Sequence, residues 1–371
     1  MISGTTDAKF SAVKEAFASC FADGLEHGAA VAVVLDGRLV VDLWGGHADL
    51  AKTRPWARDT IANVWSSTKG VVAAAVAMMV ERGKLAYDAP IAKVWPEFAA
   101  NGKEGITLNH VMSHTSGLNG ADRPISAAEL YAWTPYAEAL AAMKPNWVPG
   151  TTCAYHAVSY GHLAGEPVRR VAGKSVGAFV RDDIAGPLGV DFFIGVPEAE
   201  DHRCAEMIAG AGANDWLAQV QNSRYPQGCM NPTPLATEPN GRAWRAAEIP
   251  GGNGHSDARA LATIYGDIAS AQPRLFSAAI RAEASRVRFR GLDESFNSAT
   301  VWGAGFRLED EAFGRHASRS AIGHGGWGGT IAFADPEVQL GFAYVTCNMR
   351  GFDTIDPRRA RLTDAVYAAL L

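Results

Sequence analysis

Cysteine is scarce in this sequence and follows no pattern. The 371 residues include 5 cysteines, an odd number, and no two of them form a Cys-x-x-Cys pair. This usage predicts neither a disulfide framework nor a zinc site, and we expect the cysteines to be small buried hydrophobic side chains. No metal and no cofactor are expected.

An excess of basic charge is also missing. Lys and Arg number 34 against 39 Asp and Glu, so the formal net charge is −5. A surface that binds nucleic acid needs a basic patch or stripe. Nucleic acid is therefore not an expected partner.

Long apolar segments are absent as well. The longest apolar run, residues 71–80, is about half of the roughly 20 residues that a membrane-spanning helix needs. Charged residues such as Asp7, Lys9 and Lys14 interrupt the first twenty positions, which argues against a secretory signal. These features predict a soluble, cytoplasmic protein that has no membrane partner.

Hydrophobic residues are plentiful at 48% of the chain, and the clearest strand patterns lie at its two ends. Five segments have the composition of strands: residues 29–35, 39–44, 322–324, 330–334 and 341–346. The first two flank Asp36-Gly37, which predicts a hairpin. Helices are predicted at residues 10–21 and 358–371.

Between these ends the sequence has the composition of helices, with predicted helices at residues 127–143, 161–171 and 175–184. Because the clear strands are confined to the two ends, they should pair in one sheet. We therefore predict an α/β (α+β) fold, in which an antiparallel sheet from both termini, flanked by helices, carries a large, mostly helical inserted domain.

The first candidate for chemistry is the segment 64–70, Val-Trp-Ser-Ser-Thr-Lys-Gly, which directly precedes the longest apolar run. If Ser66 stands in the first turn of a helix, Lys69 lies one turn on, so its amine can reach the Ser66 hydroxyl. A serine hydroxyl becomes a nucleophile when a neighbouring base takes its proton, and lysine can be that base once burial lowers its pKa. The apolar neighbours of Lys69 favour such burial.

The Ser-x-x-Lys spacing alone leaves alternatives open. It also occurs at Ser11 and Lys14, inside the first predicted helix, where we expect a solvated helix face. Ser66 could equally be the N-cap of the helix that follows. A Ser-His-Asp triad of Ser66, His324 and an aspartate is another alternative, although it would leave Lys69 without a role.

Two distant segments could complete a site around Ser66. Tyr155, which precedes a predicted helix, is a candidate for the second acid/base that returns the proton to the leaving group. Residues 323–329, Gly-His-Gly-Gly-Trp-Gly-Gly, predict a strand with little side-chain bulk, against which a substrate could lie and whose N–H groups could bind an oxyanion. Trp327 is the tryptophan that we expect to line the acyl pocket.

Three other motifs are interpreted as structural. Residues 173–177 match Gly-x-Ser-x-Gly, but a predicted helix precedes them, so Ser175 is predicted to be a helix N-cap and not a nucleophile. Residues 113–117, Ser-His-Thr-Ser-Gly, have the composition of a tight turn that ends a helix. Residues 255–257 are expected to start a helix with Ser256 as its cap.

Three segments occur in an order that resembles the signature of the serine β-lactamase and penicillin-binding superfamily: Ser66-Ser67-Thr68-Lys69, Tyr155-His156-Ala157 and His324-Gly325-Gly326. Within it the chain is most similar to the family VIII carboxylesterases, which resemble class C β-lactamases. The resemblance implies an α/β domain of residues 1–83 and 245–371 and a mostly helical domain of residues 84–244. It places the active site in the cleft between them.

The resemblance also implies roles for individual residues. Ser66 resembles the acylated nucleophile, Lys69 its proton acceptor and Tyr155 the partner acid/base. The backbone N–H groups of Ser66 and Trp327 resemble an oxyanion hole. Further substrate contacts are implied for His324, Gly325, Gly326 and Trp327.

Two positions depart from the lactam-hydrolysing pattern. Ala157 stands where a Tyr-x-Asn motif has its amide, and His324 stands where Lys-Thr-Gly has its lysine. A neutral histidine and an alanine offer little to the carboxylate or side-chain amide of a β-lactam, whereas ester hydrolysis needs neither.

The sequence therefore predicts a serine carboxylesterase that hydrolyses small, short-chain carboxylic esters through a Ser66 acyl-enzyme. The alternatives on the same scaffold are a weak β-lactamase, a D-amino-acid peptidase and an acyltransferase. An alternative of a different class is a catalytically silent binding protein, against which the joint presence of Ser66, Lys69 and Tyr155 argues.

Overall fold

The computed structural model describes residues 2–352 and 355–371. Its strands are β1 Ile2–Thr6, β2 Gly28–Leu35, β3 Arg38–Gly46, β4 Ala62–Asn63, β5 Phe192–Phe193, β6 Ile208–Ala209, β7 His255–Ser256, β8 Phe289–Asp293, β9 Ser298–Trp302, β10 Arg307–Leu308, β11 Ile322–Gly325, β12 Ile331–Asp335, β13 Leu340–Thr346 and β14 Asn348–Met349. Its α-helices are α1 Ser11–Ala22, α2 Thr68–Glu81, α3 Leu108–Met112, α4 Ala127–Tyr131, α5 Thr134–Ala142, α6 Ser159–Ala172, α7 Val176–Phe179, α8 Gly186–Leu188, α9 Asp215–Gln221, α10 Gln227–Met230, α11 Arg242–Ala246, α12 Ala258–Ala269, α13 Ala278–Ala284 and α14 Pro357–Ala368.

The main sheet joins the two ends of the chain. Its nine strands follow the order β1-β3-β2-β13-β12-β11-β10-β9-β8, and each neighbouring pair is antiparallel. The join is the pairing of β2 with β13, in which Val33 lies opposite Phe342. The predicted antiparallel sheet from both termini is confirmed.

The hairpin of β2 and β3 forms where the sequence predicts it. Asp36 and Gly37 have φ angles of 49° and 73°. Two central residues with positive φ match the twist of the flanking strands, and Asp-Gly is a favoured pair at such a turn.

Helices cover both faces of the sheet. Along β2, Val31 and Val33 pack with α1 and α14, whereas Ala30, Ala32 and Val34 belong to the core that contains α2 and α12. Successive side chains of a strand point to opposite faces, so a strand covered on both sides is apolar throughout. This explains why β2 lacks the usual alternation of apolar and polar residues.

The sheet is larger than the sequence predicts. Strands β8, β9 and β10 extend it beyond β11, the strand that carries the glycine-rich motif. In β8 the exposed residues Arg290 and Leu292 alternate with buried or partly buried ones, and Gly291 and Asp293 are weak strand formers. The alternation of apolar and polar residues in β8 is therefore too weak to predict a strand.

The predicted helices of the middle segment are present, and two of the three are interrupted, whereas the helix predicted at residues 161–171 is the slightly longer α6. Trp133, with φ of 63°, separates α4 from α5 inside the predicted helix of residues 127–143. The predicted helix of residues 175–184 begins as α7 and continues as a π-helical turn over Val180–Ala185. Within residues 2–352 and 355–371, no helix combines the length and apolar character needed to cross a bilayer.

Candidate active site

Ser66 lies in a short 3₁₀ turn, Trp65–Ser67, that leads directly into α2. Trp65 has a φ of 47°, an unfavourable value for a large side chain. The Ser67 hydroxyl donates a 3.1 Å hydrogen bond to the carbonyl of His324, which ties the turn to β11. Ser66 itself is only half-buried, so its hydroxyl is open to the neighbouring cavity.

The Lys69 side chain is fully buried and meets Ser66 at 3.0 Å between Nζ and Oγ. Nζ also lies 2.8 Å from the carbonyl oxygen of Ala157 and 2.6 Å from that of Gly251. Burial lowers the pKa of Lys69 from 10.5 to about 7. A neutral amine has two N–H donors and one lone pair, so the two carbonyls can take both donors and direct the lone pair at the Ser66 hydroxyl.

Tyr155 also lies close to the contact between Ser66 and Lys69. Its ring centroid is 4.8 Å from Lys69 Nζ, and it lines the cavity together with Ser66. Burial raises the pKa of Tyr155, and a hydrogen bond with Ser66 opposes this rise. The phenol therefore keeps its proton near neutral pH and can donate it.

His324 on β11 is a neutral side chain. Burial and the nearby Lys69 hold its pKa well below 6.5. Its Nδ1 lies 2.6 Å from the carbonyl oxygen of Gly325, which fixes the proton on that nitrogen. Among the described residues the Ser66 hydroxyl bonds to Lys69 and not to His324, so the geometry gives no support to the alternative Ser-His-Asp triad.

The glycine-rich segment packs directly on the Ser66 turn. A Cβ on Gly326 would lie 2.3 Å from the carbonyl oxygen of Val64, so only glycine fits there. The rings of Trp65 and Trp327 are 4.6 Å apart, and the Trp327 indole donates to the carbonyl of Ala213 at 2.6 Å. These contacts hold Trp327 in the wall of the cavity that Ser66 lines.

The cavity has a volume of about 390 Å³, and its wall is mostly apolar, with several aromatic residues. All the predicted substrate contacts of β11 and the following turn line it. Several other lining residues were not predicted from the sequence: Trp216, Trp244, Asp293, Phe296 and Arg307. These residues lie in short helices, loops and strands whose sequences show no clear pattern. Only the two tryptophans, Trp216 and Trp244, gave a signal in the sequence, because they are large aromatic residues in segments without clear periodicity.

The motifs interpreted as structural remain so, with one correction. Ser175 caps α7 by accepting a hydrogen bond from the Ala178 N–H, and Ser11 and Lys14 are exposed. The prediction that Ser256 caps a helix is wrong. Asp257 is the N-cap of α12, because Ser256 is the last residue of β7 and points its hydroxyl at the carbonyl of Asp191.

The fold and this site define a serine hydrolase: a hydroxyl at the start of a buried helix, with a buried lysine beside it, next to an inner strand of an antiparallel sheet. The Beta-lactamase family matches residues 17–365, nearly the whole chain, and the protein belongs to this family.

Two kinds of relatives agree with this assignment. The chain is 35% identical over 356 residues to the esterase/beta-lactamase LipL of Mycobacterium tuberculosis, which covers 92% of this chain and 82% of LipL. Among solved structures it is similar to a family VIII carboxylesterase, with a TM-score of 0.92 and 39% identity over 100% of both chains. A penicillin-binding protein homologue from Caulobacter crescentus gives 0.91 and 38%, again over 100% of both. The predicted superfamily and fold are confirmed.

Proposed function

We propose that the protein is a carboxylesterase that cleaves small, short-chain carboxylic esters through a covalent Ser66 acyl-enzyme. The observation that carries this proposal is the environment of Lys69. Its amine is buried, has a lowered pKa of about 7, and lies 3.0 Å from the Ser66 hydroxyl. A base with a pKa near the working pH is the most effective proton acceptor.

In the first half-reaction, Ser66 Oγ attacks the ester carbonyl carbon while Lys69 Nζ accepts the hydroxyl proton. The negative charge that develops on the carbonyl oxygen is held by the N–H groups of Ser66 and Trp327. Among the described residues neither N–H donates a backbone hydrogen bond, which supports this role. Tyr155 then donates a proton to the leaving alkoxide and recovers one from Lys69, so the alcohol departs neutral.

In the second half-reaction, water attacks the acyl carbon and the same groups act in reverse. Tyr155 accepts a proton from the water as it passes its own proton to Lys69. The bond between the acyl carbon and Ser66 Oγ then breaks, and Lys69 returns a proton to Oγ as the acid leaves.

Esters are favoured over lactams because of two side chains in the cavity, Ala157 and His324. Neither presents a positive charge or an amide to a bound β-lactam. LipL is named an esterase/beta-lactamase, so weak lactam turnover is the second candidate activity. A D-amino acid amidase at 19% identity and a TM-score of 0.72 shares the fold alone and does not favour peptidase activity.

The two-domain division is part of the proposal. Ser66 and Lys69 come from the part before residue 84 and His324 from the part after residue 245, whereas Tyr155 comes from the segment between. A cleft between an α/β domain of residues 1–83 and 245–371 and a helical domain of residues 84–244 would place these groups together. We also propose a cytoplasmic location.

Labelling with a fluorophosphonate followed by mass spectrometry tests the nucleophile. We expect one adduct on Ser66 in the folded protein and none in Ser66→Ala, which should also lose turnover. Ser11→Ala is the matched control, because Ser11 shares the Ser-x-x-Lys spacing but is exposed, and it should remain fully active. Folded protein that hydrolyses esters without Ser66 labelling would overturn the proposal.

A second measurement separates the two candidate activities. The kcat/KM for a short p-nitrophenyl ester is compared with that for a chromogenic cephalosporin. We expect the ester to be the better substrate by a wide margin, and equal rates would contradict the inference drawn from Ala157 and His324.

A further inference from the structure

We propose that His114 is the positioning residue that holds Tyr155 in its working place. This inference rests on the proposed function, because it concerns the residue to which that proposal gives the acid/base role. His114 belongs to residues 113–117, a turn that ends α3 and contributes no side chain to the cavity. Its contacts show what this turn does for the site.

His114 binds the chain on both sides of Tyr155. Its carbonyl oxygen accepts the Ala154 N–H at 3.2 Å, and its ring Nδ1 accepts the His156 N–H at 3.0 Å. The Tyr155 N–H itself donates to Asp293 Oδ1 at 3.3 Å. Three consecutive peptide N–H groups are thus fixed by two residues, and the middle one carries the phenol.

The role of Nδ1 requires a neutral imidazole with its proton on Nε2, since a protonated nitrogen cannot accept a hydrogen bond. His114 is fully buried, and burial, together with the nearby His156 and Lys69, holds its pKa well below 6.5. The imidazole therefore remains an acceptor throughout the neutral range.

The imidazole ring of His114 also packs against the phenol ring of Tyr155. The centroids of His114 and Tyr155 are 4.7 Å apart, and His114 meets Trp302 edge-on at 4.4 Å. Such aromatic contacts fix ring orientation as well as position. The backbone of His114 has a φ of 60°, an uncommon value outside glycine that the packed surroundings must maintain.

The neighbouring Ser116 and His156 complete this support and are not a second catalytic pair. The His156 Nδ1–H bonds to the carbonyl of Ala154 at 2.7 Å, so Nε2 accepts the Ser116 hydroxyl, also at 2.7 Å. Both side chains are fully buried and lie outside the wall of the cavity. A substrate cannot reach them.

Substitutions at His114 can separate positioning from general packing. Asn places an acceptor oxygen close to the position of Nδ1 and tolerates positive φ, so His114→Asn should keep most of the activity. His114→Leu removes the acceptor, and we expect kcat to fall about 100-fold with KM little changed, as for a misplaced catalytic group. His114→Gln, whose amide extends past the Nδ1 position, should behave like the leucine variant and serves if leucine prevents folding.

The deciding readout is a double-mutant cycle with Tyr155→Phe. If His114 acts through Tyr155, removing the imidazole acceptor should cost nothing further once the phenol hydroxyl is gone. An equal loss in both backgrounds, or wild-type kcat in both His114→Leu and His114→Gln, would overturn the inference. Full activity of Tyr155→Phe alone would instead overturn the role given to Tyr155 in the proposed function, so the two failures are distinguishable.

Discussion

The pKa of Lys69 is the property on which the proposed chemistry depends most, and Ala157 offers a way to change it. At an ordinary pKa of 10.5 only about 0.03% of lysine side chains would be neutral at pH 7, whereas a pKa of about 7 leaves roughly half of them neutral. Burial thus increases the population of active base by about 10³-fold.

The perturbation is Ala157→Asp, with Ala157→Asn as the matched control. Ala157 lines the cavity, and its own carbonyl oxygen is 2.8 Å from Lys69 Nζ, so a side chain at this position can approach the amine. A carboxylate this close stabilises the ammonium and should raise the Lys69 pKa by about 1 to 3 units, whereas the amide has the same shape without the charge.

The assay is kcat/KM for a neutral ester measured from about pH 5 to pH 9, which reports the free enzyme. Because Lys69 must be neutral to accept a proton, activity falls as pH drops through its pKa. The acidic limb should lie near pH 7 in the wild type and in Ala157→Asn, and it should move upward in Ala157→Asp, with roughly a 5-fold or larger loss at pH 7. Identical acidic limbs in the two variants would refute the assignment of Lys69 as the base.

Three further outcomes are expected. Gly326→Ala should lower kcat/KM by about 100-fold or more because its Cβ would meet the Val64 carbonyl, whereas Gly105→Ala, whose Cβ would meet no atom within 4 Å and lies outside the cavity, should stay active; equal effects would contradict the close approach. Ser175→Ala should lower stability by about 1 kcal/mol in thermal unfolding while leaving ester turnover unchanged, and a loss of turnover in folded protein would revive the Gly-x-Ser-x-Gly motif. Arg358→Met should lower the unfolding free energy by about 3 to 5 kcal/mol in urea, since the fully buried guanidinium pairs with two buried carboxylates, and a change under 1 kcal/mol would contradict this.

Features set by local geometry could be predicted from the sequence. The contact between Ser66 and Lys69 follows from a separation of three residues at the start of a helix, which brings the two side chains to the same face. The hairpin at Asp36-Gly37 and the cap at Ser175 likewise follow from a few adjacent residues. Tyr155 and the glycine-rich strand lie far from Ser66 in the sequence. Their place in the same site was supported mainly by the order of the three motifs, which resembles that of a known family.

Features set by packing between distant segments could not be predicted. The apolar neighbours of Lys69 indicated burial, but not that it would be complete, and the two carbonyls that receive its N–H groups belong to Ala157 and Gly251, far along the chain. The hydrogen bonds of His114 to the peptide groups beside Tyr155 also depend on packing between distant segments, because the sequence of residues 113–117 predicted only a turn. Spacing within one helix fixes which neighbours meet, because the backbone period is constant. Packing of the whole core decides which distant segments meet and how completely water is excluded from the site.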